Sequence, residues 1–214
     1  MIISSAVNQI QFWLELNEAE IERELLYAED IGINSLRVFL HNYLYEQQPD
    51  LYWKVINGQW KVERIGNIGE LAANTEAGGC LIVSGNDTWK DYTVQAVVML
   101  RDRTSGGAGI AARIGSLSEG YYVGFNTDEV YILRIIGDKE VRLISKKISN
   151  VRLKVRNSLK VTVKGNILSV YLNDPTREII IYYDNPAVLS SGGIGLFTAD
   201  CRAAFDDIAV LSEV

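Results

Sequence analysis

The chain has 214 residues, 48 % of them hydrophobic and 22 % charged, with a formal net charge of -6. That length and composition admit one large domain, or a domain with an appendage, and exclude global disorder. No run approaches the ~18 consecutive apolar residues of a membrane helix, and no basic stretch is interleaved with aromatics, so neither a membrane nor a nucleic acid is an expected partner.

The charge is unevenly spread. Residues 1–50 hold nine Asp/Glu against Arg23 and Arg37, whereas the remainder is close to balanced. Two modules are therefore expected, 1–50 and 51–214. Met1-Ile2-Ile3 runs at once into Ser4-Ser5, without the basic start and long apolar core of a secretory leader.

In chain order, residues 5–12 read as a short strand and its exit loop. Asn17 is placed to cap a helix from Glu18, with acids in the first turn. Ile21, Leu25 and Ala28 recur at helical spacing, and Gly32 ends the run. Residues 36–40, LRVFL, read as a buried strand of parallel type. The module is thus a lone βαβ unit. Such a unit leaves much of its apolar surface uncovered, which predicts docking on the second module or, preferentially, homo-oligomerisation through residues 1–50.

From Trp53 the period changes from 3.6 to 2. Strands are predicted over 53–56, 59–64, 68–73, 80–84, 92–100, 108–114, 120–126, 129–136, 140–148, 158–164, 167–173, 178–183, 193–198 and 203–211. Glycine-rich turn signals separate them, among them Asn57-Gly58, Ser105-Gly106-Gly107 and Ser191-Gly192-Gly193. Many short strands with such turns predict an antiparallel two-sheet sandwich or jelly roll, a mainly β fold.

The hairpin over 159–174 carries the clearest register. A two-residue turn at Gly165-Asn166 puts Leu159, Val161, Val163, Leu168, Val170 and Leu172 on one face. A one-residue slip would expose the whole set, so the register is strongly specified. Cys80 and Cys201 are the only cysteines. They lack metal-clip spacing and are read as buried free thiols rather than a disulfide. His41 is the only histidine, which disfavours a zinc site of His and Cys, or a Ser-His-Asp triad.

Four blocks, VINGQWKV (55–62), GAGIAARIGSLSEGYYVGFN (107–126), LKVTVKGNILSVYLND (159–174) and GGIGLFTADCRAAFDDIAV (192–210), occur in this order. In that order they resemble the concanavalin A-like, laminin-G-type jelly rolls of bacterial carbohydrate-active proteins. The family known as 3-keto-disaccharide hydrolases shows the same pattern. The resemblance spans about 53–214 and implies a jelly roll. Its hosts include lectins, sugar-binding modules and hydrolases, and the family is usually secreted or periplasmic. Residues 5–48 are similar to the opening of a (β/α)8-barrel glycoside hydrolase, with Arg37 matching an arginine beneath the sugar site. The later barrel strands with their catalytic glutamates are missing.

The expected function is therefore a carbohydrate-binding module associated with glycoside hydrolases. The alternatives are a 3-keto-disaccharide-type hydrolase or a structural interaction domain. Strand alternation puts Tyr121, Val123 and Phe125, with Ile110, Ala112 and Ile114, toward the core. Arg113, Tyr122 and Asn126 then share the opposite, concave face, where Gly109, Ala111 and Gly124 leave room for a sugar. The alternative reading is an ordinary polar sheet face. Trp89 and Tyr92 either edge such a site or pack a loop. No catalytic pair of carboxylates emerges on that face, and no cofactor is required. The resemblance further implies that Asp206 takes the position of a structural Ca²⁺ ligand, the alternative being a turn aspartate.

Overall fold

The computed structural model describes residues 38–39, 53–65, 68–74, 78–102, 106–115, 118–137, 139–185 and 189–212. Two antiparallel sheets lie face to face. The strands in chain order are β1 (Val38–Phe39), β2 (Lys54–Asn57), β3 (Gln59–Ile65), β4 (Ile68–Asn74), β5 (Cys80–Ser84) and β6 (Tyr92–Leu100). They continue with β7 (Gly107–Ile114), β8 (Gly120–Phe125), β9 (Glu129–Ile136), β10 (Lys139–Lys147) and β11 (Arg156–Lys164). The last are β12 (Ile167–Leu172), β13 (Ile180–Tyr183), β14 (Gly193–Ala199) and β15 (Ala203–Ser212). One sheet, here sheet A, runs β13-β12-β11-β6-β15-β4-β3, and the other, sheet B, runs β10-β9-β8-β7-β14-β5-β2. Each of the fourteen strands expected after residue 52 is present, within a few residues at its ends.

The 159–174 hairpin has the expected register, with Lys164 opposite Ile167, Val163 opposite Leu168, Val161 opposite Val170 and Leu159 opposite Leu172. Gly165 takes a φ of 55°, which a residue with a Cβ adopts only at a cost. All six apolar side chains are buried. They meet Ile110, Ala112, Tyr121, Val123, Phe125, Ile132, Ile194 and Leu196 of sheet B in one continuous core. Cys80 and Cys201 are buried free thiols, as expected. Burial pushes the Cys201 thiol up to about 12, aided by the carboxylate of Asp102, so it is inert as a nucleophile at neutral pH.

The expected helix over 18–31, Arg37, His41 and the barrel-like segment lie outside the described residues. Among the described residues, Val38 and Phe39 are in no parallel pair. They bond antiparallel to β15, Val38 opposite Val210 and Phe39 opposite Ala209. The reason is topological: β4 covers β15 only along Ala203–Phe205, which leaves the rest of that edge with backbone groups to satisfy.

Of the four register shifts among the described strands, those in β7 and β15 bear on which candidate side chains reach the surface. In β7 the register to β14 shifts so that Gly193 faces Ile114 while Ile194 faces Ala112, and Arg113 is the extra residue, with a φ of 52°. In β15 the shift falls between Asp206 and Ala209, with Asp207 at a φ of 49°. Each bulge breaks the period-2 alternation at one residue and re-aims its neighbours.

Candidate functional site

The residues expected to form a sugar site on sheet B do not come together. Arg113 stands at the end of β7. Its guanidinium is 1 % exposed and tucked under the loops that precede β6 and β14. There Nη1 donates to the Leu189 carbonyl at 2.9 Å, Nε and Nη2 donate to the Lys90 carbonyl at 3.2 and 3.0 Å, and Nη2 also donates to Asp91 at 3.3 Å. Its backbone N–H donates to the Tyr92 hydroxyl at 2.6 Å. The bulge has turned Arg113 inward and sent Ile114 to the outer cluster of sheet B. This corrects the simple alternation for both residues.

Asn126 lies beyond the opposite end of the same hairpin, past the Ala108–Phe125 pair. At 3.3 Å per residue this is about 20 Å from Arg113. Its side-chain oxygen accepts from the N–H groups of Asp128 and Glu129, at 2.8 and 2.9 Å, and so shapes the β8–β9 turn.

Tyr122 does face outward from sheet B, but it is buried in a small apolar cluster with Leu81, Ala111, Tyr131, Leu133 and Phe197. Its ring meets Phe197 edge-on at 5.1 Å, and its hydroxyl donates to the Ser118 carbonyl at 2.7 Å. The space above Gly124 is filled, since a Cβ there would lie 2.6 Å from the Tyr131 hydroxyl and 2.9 Å from Phe197. Gly124 makes room for the protein's own aromatics, and Gly109 for the β8 backbone, where a Cβ would lie 2.0 Å from the Val123 carbonyl oxygen, rather than for a ligand. Tyr122→Phe is expected to leave glycan binding unchanged and to cost about 1 kcal/mol of stability at neutral pH, the worth of one hydrogen bond. Thermal melts with a binding titration check both halves.

Trp89 and Tyr92 form an edge-to-face pair at 6.0 Å. The Trp89 ring lies over Gly85 and stays 37 % exposed. The buried Tyr92 hydroxyl donates to the Gly193 carbonyl at 2.9 Å. The pair packs the loop entering β6 and belongs with Arg113 to the closure of that end of the sandwich.

A different constellation stands on the outer face of sheet A. Glu63 on β3 lies directly opposite Glu70 on β4, a like-charge pairing that destabilises a sheet unless it is compensated. The neighbouring strand β15 adds Asp206, which the bulge at Asp207 holds on this face while Ile208 returns to the core. Glu70 and Asp206 are only 4 % and 9 % exposed.

Two arginines balance the acids. Arg101, after β6, bonds Glu63 and approaches Glu70 at 3.7 Å. Arg156, opening β11, bonds Glu70 at 2.6 Å and Asp206 at 2.5 Å and approaches Asp207 at 3.6 Å. Arg101 reaches across β15 and β4, which present only Ala204 and Ala72 there, in register with Met99 and Lys61. Long arms lie flat over short residues.

The charge states follow from these contacts. Lys61 donates to Glu63, and with Arg101 it holds that carboxyl below the usual carboxylate range despite partial burial. Burial opposes the charge on Arg156, but the Asp206 hydrogen bond and the surrounding acids outweigh it and raise its pKa. One oxygen of Glu70, Oε2, is buried without a hydrogen bond among the described residues. Burying carboxylates is costly even when they are paired, so a sheet face that keeps Glu70 and Asp206 buried against arginines is a candidate for a role beyond stability.

Asp206 does not suit a hard cation. Its carboxylate faces the Arg156 guanidinium and accepts from the Asp207 N–H at 2.8 Å. Among the described residues no three acidic, His or Cys side chains group as a metal cage. The Asp206 carboxylate that the resemblance implied as a calcium ligand is thus engaged by Arg156 and by the β15 bulge.

No protein-family model matches the chain, and no curated protein does. Solved structures match well. Carbohydrate-binding module CBM66 from Bacillus subtilis superposes with a TM-score of 0.65 at 23 % identity, over 75 % of this chain and 95 % of that one. The fold is a galectin- and concanavalin-like jelly-roll sandwich. A Bacillus subtilis protein of unknown function with a galectin-like fold gives 0.61 at 10 % identity, over 83 % and 98 % of the two chains. The exoplasmic/lumenal domain of VIP36, in a Ca²⁺/Man3GlcNAc-bound form, gives 0.56 at 11 % identity, over 76 % and 84 %.

The row Glu63–Glu70–Asp206 with Arg101 and Arg156 was missed by reading along the chain. Its members are spread from position 63 to 206, and sheet order alone brings them together. One signal was available: charged residues at the outward positions of strands otherwise rich in alanine and valine.

Proposed function

We propose that this protein binds carbohydrate, as a non-catalytic module of the kind associated with glycoside hydrolases, through the acid–arginine row on the outer face of sheet A. The observation that carries this reading is the row itself, with Glu70 and Asp206 buried and Arg156 exposed to solvent above them. Carboxylates and guanidinium groups in a fixed plane present the acceptors and forked donors that pairs of sugar hydroxyls require. The likeness to CBM66 and to the sugar-bound VIP36 domain supports the assignment at the level of fold.

The row favours binding over hydrolysis. A glycoside hydrolase needs one carboxyl held neutral near pH 7 as a general acid. Here Glu63 is pushed toward the ionised form, and Glu70 and Asp206 lie against Arg156.

The test is calorimetric titration against plant and bacterial polysaccharides that first score on a glycan array. Arg156→Lys keeps a charge but loses the forked geometry, and Asp206→Asn removes a charge with little change of shape. Each is expected to weaken binding about tenfold or more, the scale of one charge-assisted hydrogen bond, with the fold checked by circular dichroism. Binding untouched by both variants moves the site elsewhere. Turnover of a 3-keto-glycoside would establish the hydrolase reading instead.

A further inference from the structure

Beside the acid–arginine row, on the same face of sheet A, lies an open depression of about 450 Å³ lined by Glu63, Met99, Arg101, Lys154 and Arg202. Three of these five residues are cationic. Arg101 is engaged by Glu63 and Glu70, and Arg202 by Asp102, with Nε to Oδ2 at 2.7 Å. The one carboxylate, Glu63, is taken by Lys61 and Arg101. Lys154 is different, because its ammonium has no ion pair among the described residues.

The backbone of Lys154 is held in place. Its N–H donates to the Leu100 carbonyl at 2.7 Å, and its φ is 59°. A left-handed conformation costs a lysine about 1 kcal/mol, and glycine or asparagine would avoid most of that cost. Such strain persists where the surroundings over-determine it and is concentrated at functional positions. Here it accompanies an unmatched cation lining a concave surface, where field lines concentrate and favour an anion.

We infer that this depression receives the negatively charged substituent of an acidic glycan, with Lys154 as its counter-charge and Met99 as the apolar floor beneath the sugar ring. The inference rests on the carbohydrate-binding reading and adds the substrate class. The anionic group is a hexuronate carboxylate or a sulfate ester, both single-charge oxyanions on a sugar ring.

Calorimetry on the full chain at low ionic strength separates the cases. The probes are oligogalacturonate, the same oligomer fully methyl-esterified, and a sulfated galactan oligomer alongside its desulfated form. Expected is about tenfold or greater preference for one acidic form over its neutral counterpart, shrinking as salt is added. The carboxylate and sulfate pairs identify which group is taken. Lys154→Gln is expected to abolish that preference and Lys154→Arg to restore it. Lys146→Gln removes an equal charge from β10 of sheet B and is expected to preserve the preference. Equal affinity for acidic and neutral forms overturns the inference while leaving carbohydrate binding intact. A preference that survives Lys154→Gln overturns it as well. Failure of every probe and of every array glycan to bind overturns the carbohydrate reading together with it.

Discussion

Arg113→Met is expected to cost about 3–5 kcal/mol, because it deletes the charged donor of four hydrogen bonds at a buried position. In a domain of this size that lowers the melting temperature by about 10 °C. The loss is not confined to β7. Asp91, which accepts from Arg113, also accepts from the Gly165 N–H at 2.8 Å, in the β11–β12 turn. Arg113 thereby ties sheet B to a hairpin of sheet A, and amide exchange at Gly165 is expected to speed up in the variant. A second comparison isolates the backbone. Since Arg113 has a φ of 52°, Arg113→Gly is expected to be about 1 kcal/mol more stable than Arg113→Ala, the reverse of the usual order in a strand. Alanine at or above glycine would show that the bulge relaxes once the guanidinium is gone. Loss of glycan binding without loss of stability in Arg113→Met would return the site to sheet B.

Raising the pH is expected to unfold the protein between pH 10 and 12. Burial pushes the Tyr92, Tyr121 and Tyr122 hydroxyls from an ordinary 10.0 up to about 12, and for Tyr121 the Asp184 carboxylate adds to the effect. Burial raises Tyr131 further still. A folded-state pKa above the unfolded value means that the native state keeps its proton longer. That contribution is present in full below pH 10 and is lost as the pH climbs through 12. Two pKa units correspond to about 3 kcal/mol per tyrosine. Three such groups together approach the ~5–15 kcal/mol stability of a typical domain.

Urea midpoints measured at rising pH are therefore expected to fall steeply above pH 10, and tyrosinate absorbance from these residues to rise together with loss of the β signal. Tyr122→Phe supplies an internal check. It is slightly less stable than the parent at neutral pH, for want of the bond to Ser118, yet it lacks one ionisable group. The two stability curves are expected to cross near pH ~11, where that group's linkage contribution has fallen by about 1 kcal/mol. Smooth ionisation of all tyrosines with the sandwich intact would refute the argument.

By itself the sequence determined the strands, their faces in the regular stretches and the hairpin register. These depend on local pattern: period-2 alternation, turn chemistry, and the cost of exposing Leu159, Val161, Val163, Leu168, Val170 and Leu172 together. It also determined the sandwich, since strands so short with such turns bury their apolar faces only against a second sheet. What it left undecided was where alternation stops. The bulges at Arg113 and Asp207 add one residue each to strands that still look regular when read along the chain. They turned Arg113 from a surface ligand into a buried tie and set Asp206 beside Glu70. Glu63, Glu70, Arg101, Arg156 and Asp206 became one site only because the sheet order β3-β4-β15-β6-β11 makes neighbours of strands far apart in the chain. That order is a property of long-range pairing, with its backbone hydrogen bonds and shared core, and no local pattern encodes it.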